Sequence, residues 1–300
     1  MRIALTGATG FVGRYIARHL IEQGHTLRCW HRPASDRGGF DGLTSSLQWI
    51  AGKLGDSQSA QALVADCDAV VHAALYHPGG GFRGGEGDLV EFVQKNIVGT
   101  IRLIEIARNA GVGRFIYIST CAVHEKILGD RPVDETHPLW PTSHYGAHKA
   151  ALEKFVHSYG LGHEYPICAL RPTGVYGLAR PENASKWFDL VSDVVCGQQV
   201  TCQRGGKEVH AWDVARAVEL LLKADRIAGE AYNCFDRYVS EYEVANIAKR
   251  ISGSTAEITG HRPSPKHQIE TGKIQALGMT FGGAALLGKT IAELVEAVRR

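Results

Sequence analysis

Eight residues near the start of the chain restrict its fold more than any other feature. Thr6-Gly7-Ala8-Thr9-Gly10-Phe11-Val12-Gly13 follows an apolar strand pattern at 3–6 and opens an amphipathic helix pattern at 11–23. Glycines at this spacing suit a tight turn at Gly7, close approach of a pyrophosphate at Gly10, and tight helix–strand packing at Gly13. The helix N-terminus behind them offers unpaired N–H groups and a partial positive charge to phosphate. Such a turn, placed between strand and helix, predicts a dinucleotide site at the edge of a sheet.

The rest of the chain continues the alternation. Strand patterns lie at 3–6, 26–30, 47–51, 69–74, 115–119, 167–171 and 231–235. Helical patterns lie at 11–23, 57–65, 89–109, 143–159 and 211–224, with Gly24, Gly111 and Gly160 as stop signals. This order predicts an α/β fold: a Rossmann-type, doubly wound parallel sheet with a smaller C-terminal substrate lobe at the sheet's C-terminal edge. The expected division is 1–172 with 208–238 for the dinucleotide domain, and 173–207 with 239–300 for the lobe. A glycine-rich stretch at 79–87 reads as a loop and a candidate substrate lid carrying Phe82 and Arg83. Gly282-Gly283 precedes a last helix expected at 290–300. Trp187 and Phe188 open a helical stretch to Val195, read as lobe core.

Composition removes several functions. Hydrophobic residues make up 44% of the 300 residues and charged residues 21%, which excludes disorder as the main state. Net charge is +2, from 33 basic and 31 acidic residues, so no basic excess points to nucleic acid. Apolar runs are strand-sized, and no membrane association is expected. The N-terminus enters a strand directly, without a signal-like apolar segment. Seven scattered cysteines lack any Cys-x-x-Cys and read as reduced thiols of a cytoplasmic protein. His144 and His148 lack a third ligand, so no metal is expected.

The second strand ends in His31 and Arg32 rather than in a carboxylate. An acidic side chain there would bond the ribose 2′-OH of NAD, whereas an Arg suits the 2′-phosphate of NADP. NADP is therefore preferred over NAD.

Tyr145 and Lys149 stand four residues apart on one helix face, which Leu152, Phe155, Val156 and Tyr159 continue. A lysine on an apolar stripe needs something to hold it, and a phenol with a cofactor ribose would do so. A phenol titrates at ~10, and work near neutrality asks for a fall worth about 4 kcal/mol. A nearby ammonium supplies part of that. Tyr145 then exchanges a proton with a substrate alcohol or carbonyl as hydride moves. Ser119 and Thr120 end the fifth strand, where Thr120 can hydrogen-bond the reacting oxygen.

Taken in order, these residues resemble the extended, epimerase/dehydratase-like branch of the short-chain dehydrogenase/reductase superfamily over nearly the whole chain. The glycine turn looks like its cofactor fingerprint, and Val71-His72-Ala73-Ala74-Leu75 like its fourth strand. Asn96-Ile97-Val98-Gly99-Thr100 looks like its Asn-x-x-Gly-Thr, and Leu170-Arg171-Pro172-Thr173-Gly174-Val175-Tyr176-Gly177 like its segment after strand six. Val209-His210-Ala211-Trp212-Asp213-Val214-Ala215 resembles its later Val-His-x-x-Asp-Val-Ala motif. The resemblance implies Tyr145 as acid/base, Lys149 as its modulator and ribose ligand, and Thr120, three residues before Val123, as the catalytic hydroxyl. It further implies cofactor contacts at Gly7, Thr9, Gly10, Phe11, Val12, Gly13, Arg32, Lys53, Leu54, Ala73, Ala74, Leu75, Asn96, Ser119, Pro172 and Thr173. Substrate contacts are expected at Thr120, Cys121, Tyr145, Arg83 and Arg180.

Three departures qualify it. Lys53 replaces the Asp of a Gly-Asp-Leu that contacts adenine. Cys121-Ala122 replaces the Asp-Glu that dehydratases use for elimination. Gly174 and Gly205-Gly206 stand where sugar-nucleotide enzymes carry Asn and Arg, while Arg180, Lys186, Arg204 and Lys207 remain nearby. The expected function is NAD(P)-dependent hydride transfer at a secondary alcohol or ketone of a small polar, possibly sugar-like substrate. A nucleotide-sugar epimerase with retained cofactor is the first alternative, and a non-catalytic NADP-binding regulator the second. A homodimer through the helices at 89–109 and 143–159 is implied by the family.

Overall fold

A computed structural model describes residues 1–79 and 84–300. Its strands are β1 (Arg2–Thr6), β2 (Thr26–His31), β3 (Leu47–Ala51), β4 (Ala69–His72), β5 (Phe115–Ile118), β6 (Ile167–Pro172), β7 (Gly174–Tyr176), β8 (Val200–Cys202), β9 (Gly205–His210), β10 (Glu230–Cys234), β11 (Arg237–Ser240) and β12 (Ile258–Gly260). Its helices are α1 (Phe11–Glu22), α2 (Ser57–Val64), α3 (Leu89–Val93), α4 (Gly99–Asn109), α5 (His144–His163), α6 (Phe188–Val195), α7 (Ala211–Lys223), α8 (Glu241–Ser252), α9 (Gly272–Gln275) and α10 (Gly283–Arg299). The chain forms two compact units. One comprises Met1–Pro172, Val214–Cys234 and Ile269–Met279; the other comprises Thr173–Asp213, Phe235–Gln268 and Thr280–Arg300.

The first unit is built on a sheet ordered β10-β6-β5-β4-β1-β2-β3. Every neighbouring pair in it is parallel. All seven strands were legible as short apolar runs, because a parallel sheet covered on both faces needs them. Strand order reverses between β1 and β4, where Thr6 pairs with His72, and that reversal is where an open α/β sheet leaves its ligand crevice. The core on one face joins Leu63, Val70, Leu103, Phe115, Tyr117, Leu152, Val156 and Ile167. Each such buried side chain contributes about 1.5–3 kcal/mol relative to exposure.

Helix starts follow local chemistry. Asp56 caps α2 at Ser59 N, Asp88 caps α3 at Glu91 N, and Ser143 caps α5 at Gly146 N. The helix expected over 89–109 is a single run interrupted by a π-turn at Gln94–Val98. Gly160 does not stop α5. The helix continues to His163 and ends at Glu164 with φ 52°, while Gly160 is buried where a Cβ would overlap the Gly229 backbone. Phe155 leaves the buried stripe and is 38% exposed, since it lies a third of a turn from the Tyr145–Lys149 row. The glycine-rich stretch at 79–87 carries Phe82 and Arg83 outside the described residues.

The second unit contains a sheet ordered β11-β9-β7 and a β12-β8 pair. Helices α6, α8 and α10 pack around Tyr176, Val191, Val239, Val244, Leu287 and Leu294. Trp187 and Phe188 join that cluster, in line with their reading as core. The last helix begins at Gly283, well before residue 290. Its start is held by Asp213, which accepts Gly282 N at 3.0 Å, and by Asp236, which accepts Gly283 N at 3.0 Å.

Candidate active site

The cleft at the β1–α1 turn has the shape that the glycines require. Gly7 has φ +76°, and a Cβ there would lie 2.7 Å from the Ala73 carbonyl carbon, so the turn sits directly against the exit of β4. A Cβ on Gly13 would overlap the Gly7 carbonyl; this glycine serves packing of α1 on β1. Gly10 is the N-cap of α1 with no side-chain cap bond, which leaves first-turn N–H groups open to an anion. A cavity of about 490 Å³ opens here. It is lined by Gly7, Thr9, Gly10, His31, Arg32, Lys53, Leu54, Ala73, Ala74 and Leu75, with Trp30, Ser35, Asp36, Tyr76 and Lys95. An apolar wall, an uncapped helix start and cations at the ends of β2 and β3 fit an adenine dinucleotide.

Of the other residues expected at the cofactor, Phe11 and Val12 are half-buried in the first turn of α1. Asn96 acts on the wall: its amide accepts Tyr76 N and donates to Tyr76 O, both at 2.8 Å. Pro172 ends β6, and Thr173 begins the second unit with its hydroxyl buried and without a hydrogen bond. Arg180 is exposed in the second unit. Sequence reasoning passed over Tyr76, Lys95 and Arg14. Lys95 stands over the Tyr76 ring at 3.7 Å and pairs with Glu91 at 2.6 Å. Arg14, 7% exposed, donates to Thr9 O, Gly38 O and Asp36 O, and to the Asp36 carboxylate at 3.1 Å. It therefore staples the loop after β2 to the start of α1.

The proposed reacting groups stand at the C-terminal end of β5, two strands from β1. Gly146 lets α5 pack against the turn after β5, since a Cβ there would lie 2.8 Å from Ala122 O. Glu125 braces the helix start by accepting Ser143 N at 2.8 Å and Ser143 Oγ at 3.0 Å. The Tyr145 phenol is hydrogen-bonded to the Thr120 side chain, and Thr120 Oγ1 also accepts Ala122 N at 3.1 Å. Lys149 is buried, donates to Ile118 O at 2.7 Å and lies 4.7 Å from the Tyr117 ring centre.

Electrostatics here differ from the expectation. Burial holds the Tyr145 phenol above its ordinary value, and the Thr120 hydrogen bond opposes that only in part. Lys149 is pulled down to about 7, chiefly by burial, with Glu153 opposing. The expected fall of the phenol, supplied in part by a nearby ammonium, is thus not what this arrangement produces. Ser119 donates its hydroxyl proton to Glu153 at 2.5 Å. Cys121 donates Sγ–H to Arg171 O at 3.0 Å, and burial pushes its thiol up to about 12. Beneath the glycine turn, His72 bridges the Thr6 and Thr100 hydroxyls at 2.7 and 2.9 Å and is pulled down to about 3.

Residues 3–234 match the NAD dependent epimerase/dehydratase family. The chain belongs to that family. Low-salt glycan biosynthesis protein Agl12 of Haloferax volcanii is 28% identical over 297 residues, covering 93% of each chain. A dTDP-glucose 4,6-dehydratase of Streptomyces antibioticus is 30% identical over 258 residues, 78% of this chain and 71% of its own. A UDP-glucose 4-epimerase of Thermotoga maritima, solved with UDP-glucose, has the same fold: TM-score 0.81 at 21% identity, over 100% of this chain and 99% of its own. The resemblance read from the sequence is therefore membership, and the chain is an enzyme of the epimerase/dehydratase type with the Rossmann-like sheet expected of it. Among the described residues no helix is long and apolar enough to cross a membrane.

The second unit holds a buried carboxylate of its own, Glu208. Gly174 and Gly206 are needed by Glu208, whose carboxylate lies 2.6 Å from where a Gly174 Cβ would be and also fills the space beside Gly206. Lys186 pairs with Glu208 at 2.5 Å. Burial raises the Glu208 carboxyl despite that partner.

Proposed function

We propose that the chain is an oxidoreductase, NADP-preferring, acting on a secondary alcohol or its ketone in a small polar, sugar-like substrate. The observation that carries this reading is the Tyr145–Thr120 hydrogen bond at the end of β5, with Lys149 one turn along α5. A bound nicotinamide supplies or accepts the hydride. Tyr145, kept protonated by burial, gives its proton to a carbonyl oxygen, or takes one back through Thr120 from an alcohol. Thr120 orients that oxygen. Lys149 and Asn96 hold the ribose side, Lys149 by charge and Asn96 by fixing Tyr76. Cys121 is neutral near neutral pH, so the position next to Thr120 supplies no carboxylate for elimination.

NADP preference is supported by Arg32, His31 and Lys53 on the cleft lining. Among the described residues the one carboxylate on that lining, Asp36, is occupied by Arg14 and by Gly38 N at 2.8 Å. Retained-cofactor epimerisation of a nucleotide sugar is the second reading, favoured by the UDP-glucose 4-epimerase likeness. Cofactor that co-purifies and does not exchange would select it. A homodimer through α3, α4 and α5 is supported by the exposed Leu89, Val90, Phe155 and Leu161; light scattering reads its mass. A cytoplasmic setting accords with seven free thiols.

The test mixes the protein with NADPH or NADP and a panel of sugars, polyols and sugar nucleotides, reading absorbance of the reduced nicotinamide. Tyr145→Phe is expected to lower kcat by about 10²–10⁴-fold while NADPH still binds. Undiminished turnover in that variant would overturn the reading.

A further inference from the structure

Two buried cations and one buried carboxylate share the space behind the Tyr145–Lys149 face. Glu153, one helical turn beyond Lys149 on α5, is 0% exposed. Its Oε1 accepts Ser119 Oγ at 2.5 Å and Arg171 Nε at 3.1 Å, and its Oε2 accepts Arg171 Nη2 at 2.6 Å. Arg171 on β6 is equally buried, and also reaches His124 Nε2 at 3.2 Å and Glu135 O at 3.3 Å. Lys149 has the Ile118 carbonyl and the Tyr117 ring as its own partners, and feels Glu153 through space.

The charges in this pocket do not cancel. One carboxylate faces two cations away from water, and a guanidinium does not give up its proton. The ammonium is the group that yields, chiefly to burial, with Glu153 opposing. The other titratable groups facing Lys149 are His72 on β4, Tyr117 on β5, and Tyr145 and His148 on α5. Burial holds both histidines neutral, at about 3 and about 2, and pushes both phenols up. Glu153 therefore acts on Lys149 against burial, and Arg171 bears on Lys149 through the carboxylate that it binds.

We propose that Glu153 is a positioning residue whose single negative charge, divided between Arg171 and Lys149, sets how far Lys149 is protonated and so couples dinucleotide binding to pH. This rests on the reading of Lys149 as a ligand of the dinucleotide. A protonated Lys149 offers the ligand a hydrogen-bonding cation; a neutral one does not. Affinity then falls as pH rises through the value of Lys149 in the free protein.

The test is fluorescence titration of the full chain with NADPH from roughly pH 6 to 9, a window that brackets Lys149. The wild type is expected to bind about tenfold more weakly per pH unit above a break near 7. Glu153→Gln should move the break at least ~1 pH unit lower, and Arg171→Met should move it higher. Lys149→Met should show no break. Opposite shifts cannot come from a common loss of packing. If Glu153→Gln does not fold, Arg171→Met carries the test alone, and a break unmoved or lowered in it overturns the proposal. So do folded variants that both keep the wild-type break. A break that persists in Lys149→Met, or a wild type that binds no NADPH, overturns the underlying site reading and the proposal with it.

Discussion

Arg32 and Asp36 both line the cleft beyond β2, and Arg14 decides which of their charges a ligand meets. A 2′-phosphate bonded to Arg32 gains a charge-assisted hydrogen bond, worth about 1.5–3 kcal/mol. Arg32→Ala should therefore weaken NADPH binding at least about tenfold and leave NADH nearly unchanged. Arg14→Ala should also weaken NADPH, because it releases Asp36 into the same space. Fluorescence titration with both dinucleotides checks the pair; equal losses for NADH and NADPH in Arg32→Ala would refute the assignment. That Arg32 and Lys53 line this cleft was legible because they follow strand ends, where a parallel sheet presents its ligand edge. Arg14 was not, because an arginine one turn into an amphipathic helix reads as solvent-facing. Glu153 escaped for the opposite reason. Attention to the apolar residues of α5 hid a carboxylate exactly one Lys–Glu spacing along their row, and its partner Arg171 comes from a distant strand.

At the scale of elements, α5 separates two kinds of glycine. Gly160 faces the Gly229 backbone with no room for a methyl group, whereas Gly162 on the same helix has nothing within 4 Å of a Cβ. Gly160→Ala should destabilise the protein by about 1–3 kcal/mol through overpacking. Gly162→Ala should stabilise it by about 0.5–1 kcal/mol, the ordinary helix preference for Ala. Urea midpoints of the two variants should move in opposite directions; shifts of the same sign would contradict the packing described for Gly160. The sequence pattern treated Gly160 as punctuation because local propensity carries no information on a segment some 70 residues away in the chain. The π-turn at Gln94–Val98 was invisible for a related reason: it leaves the apolar periodicity on either side nearly intact while adding one residue to the turn. By contrast the seven strands of the parallel sheet declared themselves, since each is apolar on both faces.

Across the whole molecule, legibility fell where pairing is short and distant. The strands β7, β8 and β12 are three residues each, and β8 pairs with β12, so that Val200 meets Ile258; no local periodicity announces such a contact. A property spread over both units was equally hidden: buried neutral histidines. Burial pulls His72 down to about 3, His124 and His210 to about 4, and His148 to about 2. In the unfolded chain each titrates near 6.5. Between those values the unfolded state binds more protons than the folded one, so stability rises with pH. Their contribution is complete above about 6.5 and is lost as pH falls toward 4, at about 1.4 kcal/mol per pH unit for each histidine. The raised carboxyls of Glu208 and Asp236 act in the opposite sense, since their folded states hold protons more tightly, but only in the range above their ordinary values of 4.5 and 3.8. Four histidines outweigh two carboxyls there, and the unfolding midpoint in urea should drop steeply between about pH 6.5 and 5. His72→Gln, which keeps a hydrogen-bonding side chain between Thr6 and Thr100, should lessen that slope by about one proton. A midpoint that stays level over this range would show that these imidazoles are not held neutral in the folded protein.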